Sequence, residues 1–198
     1  MEQAAVLAAG LDPDAVLDIS LAAARPSGPA AAAAVAEAAA QAASAGALRG
    51  QVKDWDAVRR FIFAGAAHFT LRSLRTGERF TYRVRVKKED TAAGVQDPTY
   101  FVCWLRGPDN GEDYGYVGVL RGDLGLRLTA ASRVTRTAPC VRGLVWFLDA
   151  MKHGRAVLGA QVEFWHEGRC GRCGRRLTVP ESVAEGFGPE CSGRRRAA

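Results

Sequence analysis

The sequence predicts an α+β fold: a mainly antiparallel sheet or partly open barrel with one packed helix, plus a small C-terminal zinc-binding module and an alanine-rich N-terminal leader. Three observations predict it. Residues 79–86 alternate apolar and polar beside a glycine-bearing turn, as a half-buried antiparallel strand does. Residues 141–151 repeat apolar side chains at the three- and four-residue spacing of one helical face. Cys170 and Cys173 are followed after 17 residues by Cys191, a separation that suits a metal site better than a disulfide framework.

The 198 residues fit one large domain or a small domain with appendages, and a 48% hydrophobic, 24% charged composition can bury a core. The net charge of +6 is unevenly spread. Residues 1–50 hold 2 basic and 5 acidic side chains, 51–98 hold 10 and 6, 99–165 hold 8 and 6, and 166–198 hold 7 and 4. A polyanionic partner should therefore meet the chain beyond residue 50. No apolar run reaches the ~18 residues of a membrane span, and Met1-Glu2-Gln3 lacks the basic start of a signal peptide. The expectation is a cytoplasmic protein with no membrane partner.

Residues 1–50 contain 21 alanines broken by Gly10, Pro13, Pro26, Gly28 and Pro29, and read as a flexible or helical leader, with helix propensity highest over 29–48. From Asp54, Trp55, Val58 and Phe61 or Ile62 share one face of a short helix that Gly65 can close. Strands are expected over 68–74 and 79–86, joined by Arg75-Thr76-Gly77-Glu78, then over 100–106 and 114–120, joined by the turn-rich 107–113, and briefly over 124–128. Thr137 and Pro139 begin the helix whose buried face is Val141, Leu144, Val145, Leu148 and Met151. Alternation returns over 157–165. Residues 51–165 thus form a β-rich binding domain of five or six strands, and 166–198 a zinc-binding module with a basic tail.

In that module a two-residue gap lets Cys170 and Cys173 point at one ion about 2.3 Å away. Gly174 permits the tight turn that follows. Gly188-Pro189 reads as a helix start that puts Cys191 in a first turn, where the dipole favours a thiolate. His166, four residues before Cys170, is the nearest candidate for a fourth ligand to Zn²⁺, with water or Cys140 as alternatives. Thr178 to Glu181 fits a capping box, and Gly186 a helix stop.

The string CGRCGRRLTVPESVAEGFGPEC resembles a short cysteine module of the form CxxCGRxLTxPxSxxxGxGPxC. Modules of this form end many uncharacterised actinobacterial, plasmid and phage proteins classed as a domain of unknown function. The upstream FIFAGAAHFTL, TGERFTYRV and LRGPDNGEDYGYVG segments are similar to the longer members of that group. The resemblance implies a zinc-binding accessory protein and brings no established activity.

Catalytic patterns are scarce. HExxH, P-loop, GxSxG and dinucleotide fingerprints are missing from the sequence, as is the zinc-deaminase arrangement. Cys103, Cys140, His68 and His153 could supply a nucleophile pair, although Cys103 between Val102 and Trp104 reads as a small core residue. The expectation is a protein that is not an enzyme.

Strict alternation sorts Arg79, Thr81, Arg83 and Arg85 to one side of their strand, about 7 Å apart, near the spacing of phosphates in an extended single strand. Lys87 and Lys88 extend the row, and Arg72 can join it across the hairpin. Tyr100, Phe101, Trp104, Tyr114 and Tyr116 offer rings for base stacking, with Tyr100, Trp104 and Tyr116 the leading candidates. Arg175, Arg176 and the run Arg194-Arg195-Arg196 add a basic footprint beside the zinc module. The functional expectation is a nucleic-acid-binding accessory protein favouring single-stranded DNA or RNA. The alternatives are an adaptor that captures a host protein through its sheet edge or zinc module, and a small-ligand sensor using a cleft between sheet and helix.

Overall fold

The computed structural model describes residues 50–193; the alanine-rich leader and the Arg194–Arg196 run lie outside the described residues. Seven strands form one antiparallel sheet: β1 (Gly50–Val52), β2 (Ala66–Ser73), β3 (Arg79–Val86), β4 (Tyr100–Leu105), β5 (Tyr114–Leu120), β6 (Leu126–Arg127) and β7 (Val162–His166). Their order is β1-β7-β2-β3-β4-β5-β6, so the sheet is open, and its last strand lies between the first two.

The β2–β3 hairpin forms as the alternation predicts. Gly77 takes a φ of +73°, and its N–H donates to the Ser73 carbonyl at 3.0 Å. Between β4 and β5 a bulge at Val102/Cys103 shifts the register, so that Cys103 pairs with Tyr116.

The helices are α1 (Trp55–Ile62), α2 (Lys88–Ala92), α3 (Pro139–His153), α4 (Arg155–Gln161), α5 (Pro180–Glu185) and α6 (Pro189–Gly193). Asp54 caps α1 by accepting the Asp56 N–H at 3.0 Å. In α3 Pro139 holds a first-turn position, while Ala138 rather than Thr137 is the cap residue. The buried face of α3 is Cys140, Val141, Leu144, Phe147, Leu148, Ala150 and Met151, and Val145 points outward. Residues 157–161, expected in a strand, complete α4 instead, because a short apolar run is compatible with either state.

One face of the sheet meets the helices. There the Tyr82 hydroxyl donates to the Cys140 carbonyl at 2.7 Å, and the Phe164 ring lies 6.3 Å from Phe147 and 5.9 Å from Phe61. The space between α3 and the strands retains a cavity of about 40 Å³ beside Gly143 and Trp146.

The cysteine segment joins the same core. Cys170, Leu177 and Phe187 are buried in one hydrophobic cluster with Phe61 and Phe164, and the Ala66 N–H donates to the Gly171 carbonyl at 2.7 Å. Close approach is needed here. A Cβ on Gly171 or Gly186 would sit 2.8 Å from the Phe61 ring. Among the described residues, no helix is long and apolar enough to cross a membrane.

Candidate functional site

Two sites stand out, a thiol cluster and the sheet face turned away from the helices. In the first, Cys170, Cys173 and Cys191 bring their sulfurs within 4.8 Å of one another. A tetrahedral ion bonded at about 2.3 Å sets its thiolates roughly 3.8 Å apart, so the cluster fits a single soft cation. Local structure accounts for each position. Gly174 has a φ of +74° and donates its N–H to the Cys170 carbonyl at 2.9 Å, closing the turn between the paired cysteines. Gly186 ends α5 at φ +75°, and α6 then presents Cys191. The expected capping box is not formed: Val179 is the cap residue of α5, and no side chain bonds the helix end.

The electrostatics of the cluster suit a metal. Burial works against a Cys170 thiolate, but backbone N–H groups of Cys173, Gly188 and Arg172 outweigh it and hold this thiol below its ordinary range. Burial and the two neighbouring thiols push Cys191 up to about 11. Three thiols so crowded share one site comfortably once a divalent cation replaces their protons.

His166 is not a member of the cluster. Its Nε2 donates to the Val183 carbonyl at 2.5 Å, and its Nδ1 accepts the Gly168 N–H at 3.1 Å. Both nitrogens are spent inside the protein, in the neutral tautomer that its burial also favours. Its place is structural: a Cβ on Gly50 would collide with the imidazole. Cys140 is likewise elsewhere, buried at the start of α3 with its thiol pushed up to about 11 by burial. Among the described residues, no fourth His, Cys, Asp or Glu joins the three sulfurs. Beside the cluster lies a cavity of about 210 Å³ lined by Arg175, Arg176, Thr178, Ser182 and Glu190.

The second site is the sheet face bearing His68, Thr70, Arg72, Arg79, Thr81, Arg83 and Arg85, which the β2–β3 register sets in facing pairs. Arg79 and Arg85 are exposed. Arg83 is half-buried, with its guanidinium 4.1 Å from the Tyr114 ring centroid and a 3.3 Å bond to the Gly111 carbonyl. Arg72 does reach the row, opposite Arg79, but donates to Glu163 at 3.2 Å. Lys87 pairs with Asp90 at 3.5 Å, and Lys88 opens α2 in solvent.

The aromatic residues divide between the two faces. Tyr100, 7% exposed, lies on the core side and donates its hydroxyl to the Phe63 carbonyl at 3.0 Å. Trp104 packs against the same core with its indole nitrogen buried. Neither can stack a base, because alternation along β4 puts both on the Val102 side. The open side receives Phe101, 38% exposed and directly opposite Arg85, and Tyr116, whose ring lies 6.3 Å from Phe101. Cys103 also belongs to this polar face rather than to the core, paired with Arg83.

Two residues outside the arginine row, His68 and Glu167, also lie at this face. His68 is buried beside Arg83 and Arg85, and Glu167 accepts from the Thr70 hydroxyl at 2.5 Å and from Asn110 at 3.3 Å. The available signal was the row His68-Thr70-Arg72, whose alternation matches that of the arginine strand.

Residues 161–196 match a family of unknown function, DUF6011, so the similarity covers β7 and the cysteine segment and leaves most of the sheet outside it. Neither the curated proteins nor the solved structures offer a match to the chain.

Proposed function

We propose that the chain is a zinc-stabilised, non-enzymatic nucleic-acid-binding protein that holds single strands, with little sequence preference, on the sheet face opposite its helices. One observation carries this reading: Arg79, Arg83 and Arg85 stand in a single row on β3, and the exposed Phe101 ring pairs across the ladder with Arg85, with Tyr116 behind it. Arg83 and Arg85, one alternation apart at about 7 Å along the strand, suit successive phosphates, Arg79 lies two alternations away at about 14 Å, and a sequence-tolerant platform needs a ring beside them. Charged side chains on an open antiparallel sheet would otherwise be its solvated side; the exposed Phe101 beside the half-buried Tyr116 favours binding.

In this reading Cys170, Cys173 and Cys191 hold the Zn²⁺, which cross-links the C-terminal segment and secures Leu177 and Phe187 against Phe61. The ion acts structurally. Arg175 and Arg176, exposed next to the cluster, add long-range attraction for a polyanion.

The test is fluorescence anisotropy of the zinc-loaded chain against labelled single-stranded DNA, duplex DNA and RNA across a salt series. The expected result is binding to single strands with a steep salt slope, since each neutralised phosphate releases counterions. Folded, zinc-loaded protein that binds none of the three would overturn the proposal.

A further inference from the structure

The soft donors of this chain can be traced residue by residue. Its five cysteines and three histidines all lie within the described residues. Among them Cys170, Cys173 and Cys191 gather, with their sulfurs within 4.8 Å of one another. Cys103 on β4 pairs with Arg83 of β3, and Cys140 is buried at the start of α3. His68 Nε2 faces Arg85 at 3.4 Å, His153 Nδ1 meets Asp149 at 3.1 Å, and the two His166 nitrogens bond the backbone of Gly168 and Val183. No further cysteine or histidine joins the three sulfurs.

Zinc bound by thiolates is four-coordinate, and closed structural sites draw every ligand from protein. Three sulfurs leave a position over. The same three cysteines line the cavity of about 210 Å³, so the open side of the triad gives onto it. That volume is below the ~300–1,000 Å³ of a drug-sized pocket and well above the ~30 Å³ share of a water. It suits a molecule of a few heavy atoms. The wall is mixed: Leu177, Val179 and Pro189 are apolar, and Arg175 and Arg176 bring positive charge. Glu190, the carboxylate on this wall, is exposed and stands outside the group that the sulfurs form.

We infer that Cys170, Cys173 and Cys191 leave an exchangeable fourth position on their metal ion, facing this cavity, and that the position takes a small anionic thiol. The inference rests on the metal reading of the triad and not on the nucleic-acid reading. Sulfur is the matched donor, because a thiolate-rich centre is soft and an apolar wall does not solvate a hard oxygen anion. Charge then selects among thiols. Three thiolates already outweigh a divalent cation, so a further anion needs compensation, which the Arg175 and Arg176 guanidiniums supply. The thiol gives its proton to solvent and its sulfur takes the place of a solvent molecule; nothing is oxidised or reduced. The cysteines keep their cross-linking role throughout.

The experiment is X-ray absorption at the zinc edge of the full zinc-loaded chain, prepared with a phosphine reductant, alone and with mercaptoacetate or 2-mercaptoethanol. Elemental analysis fixes the zinc content, and affinity is read from the visible absorption of the cobalt-substituted chain. The expected result is three sulfurs and a lighter neighbour for the chain alone, and four sulfurs with saturating mercaptoacetate. Arg175→Gln with Arg176→Gln should weaken mercaptoacetate about two- to tenfold and leave 2-mercaptoethanol within about twofold, as exposed ion pairs do; equal effects on both thiols would overturn the role given to the arginines. Four sulfurs in the chain alone would show that another cysteine or a second copy completes the site, and would overturn the inference while leaving metal binding intact. Three sulfurs that persist in mercaptoacetate would do the same, and a fourth gained only in Glu190→Gln would put that carboxylate in the position. A chain that takes up no zinc would overturn the metal reading as well.

Discussion

Chelation of the metal should weaken the whole sheet and not merely release the C-terminal segment. Leu177 and Phe187, each 4% exposed, are buried by that segment in the cluster that holds Phe61 and Phe164. The Phe61 ring lies 5.9 Å from Phe187, and the backbone of Gly171 and Gly186 closes over it. If the segment undocks, two large side chains return to water at about 1.5–3 kcal/mol each, and part of Phe61 is wetted, for a loss of about 4–6 kcal/mol. That is a large share of the ~5–15 kcal/mol that holds a domain together. At about 2–4 °C per kcal/mol, the unfolding temperature should fall by roughly 10–20 °C. The assay is thermal unfolding followed by far-ultraviolet circular dichroism, with and without chelator, metal loss being verified by elemental analysis. Phe187→Ala with the metal retained should lose about 3–5 kcal/mol by the same packing argument. An unfolding temperature within about 3 °C of the loaded protein, with the metal gone, would refute the shared-core reasoning.

Three further predictions follow from single residues. Gly186→Ala should cost about 2–3 kcal/mol, because a Cβ there combines a φ of +75° with a 2.8 Å approach to Phe61; Gly77→Ala, at φ +73° but with open space around it, should cost only about 1–2 kcal/mol, and equal losses in chemical denaturation would contradict the packing part of the claim. His68 is held down to about 4, so the unfolded chain takes up its proton first as pH falls, and the stability from keeping the ring neutral is complete above about 6.5 and lost between about 6.5 and 4, to a maximum near 3 kcal/mol. His68→Gln should flatten the stability profile over that window, and an unchanged slope would show that the proton is not excluded. Native mass spectrometry should find one zinc per chain in the wild type and loss of that ion in Cys173→Ser; retention in the variant would remove Cys173 from the ligand set.

Much of the fold was legible because its elements are local. The hairpin announces itself through alternation around Gly77, and α3 through Pro139 and a continuous apolar face. The insertion of β7 between β1 and β2 was not legible, since it pairs Phe164 with Val52 and Leu71 across a hundred residues of chain. Nor was the short helix α4, whose Ala156-Val157-Leu158 suits a strand equally well. The cysteine triad could be read from spacing alone. His166 has ligand spacing too, yet its nitrogens serve the backbone of Gly168 and Val183, which no pattern reveals. Alternation along β4 sets Tyr100 and Phe101 on opposite sides, which the grouping of all five rings as stacking candidates overlooked; deciding which of them is exposed required the register that sets Arg85 beside Phe101.

The most direct test of the nucleic-acid surface is an amide-shift map of the zinc-loaded chain titrated with a short single-stranded oligonucleotide. The account predicts perturbations concentrated at Arg79–Arg85, Phe101 and Tyr116, with α3 silent. Shifts confined to α3 or to the neighbourhood of Arg175 and Arg176, or no shifts at all, would contradict it.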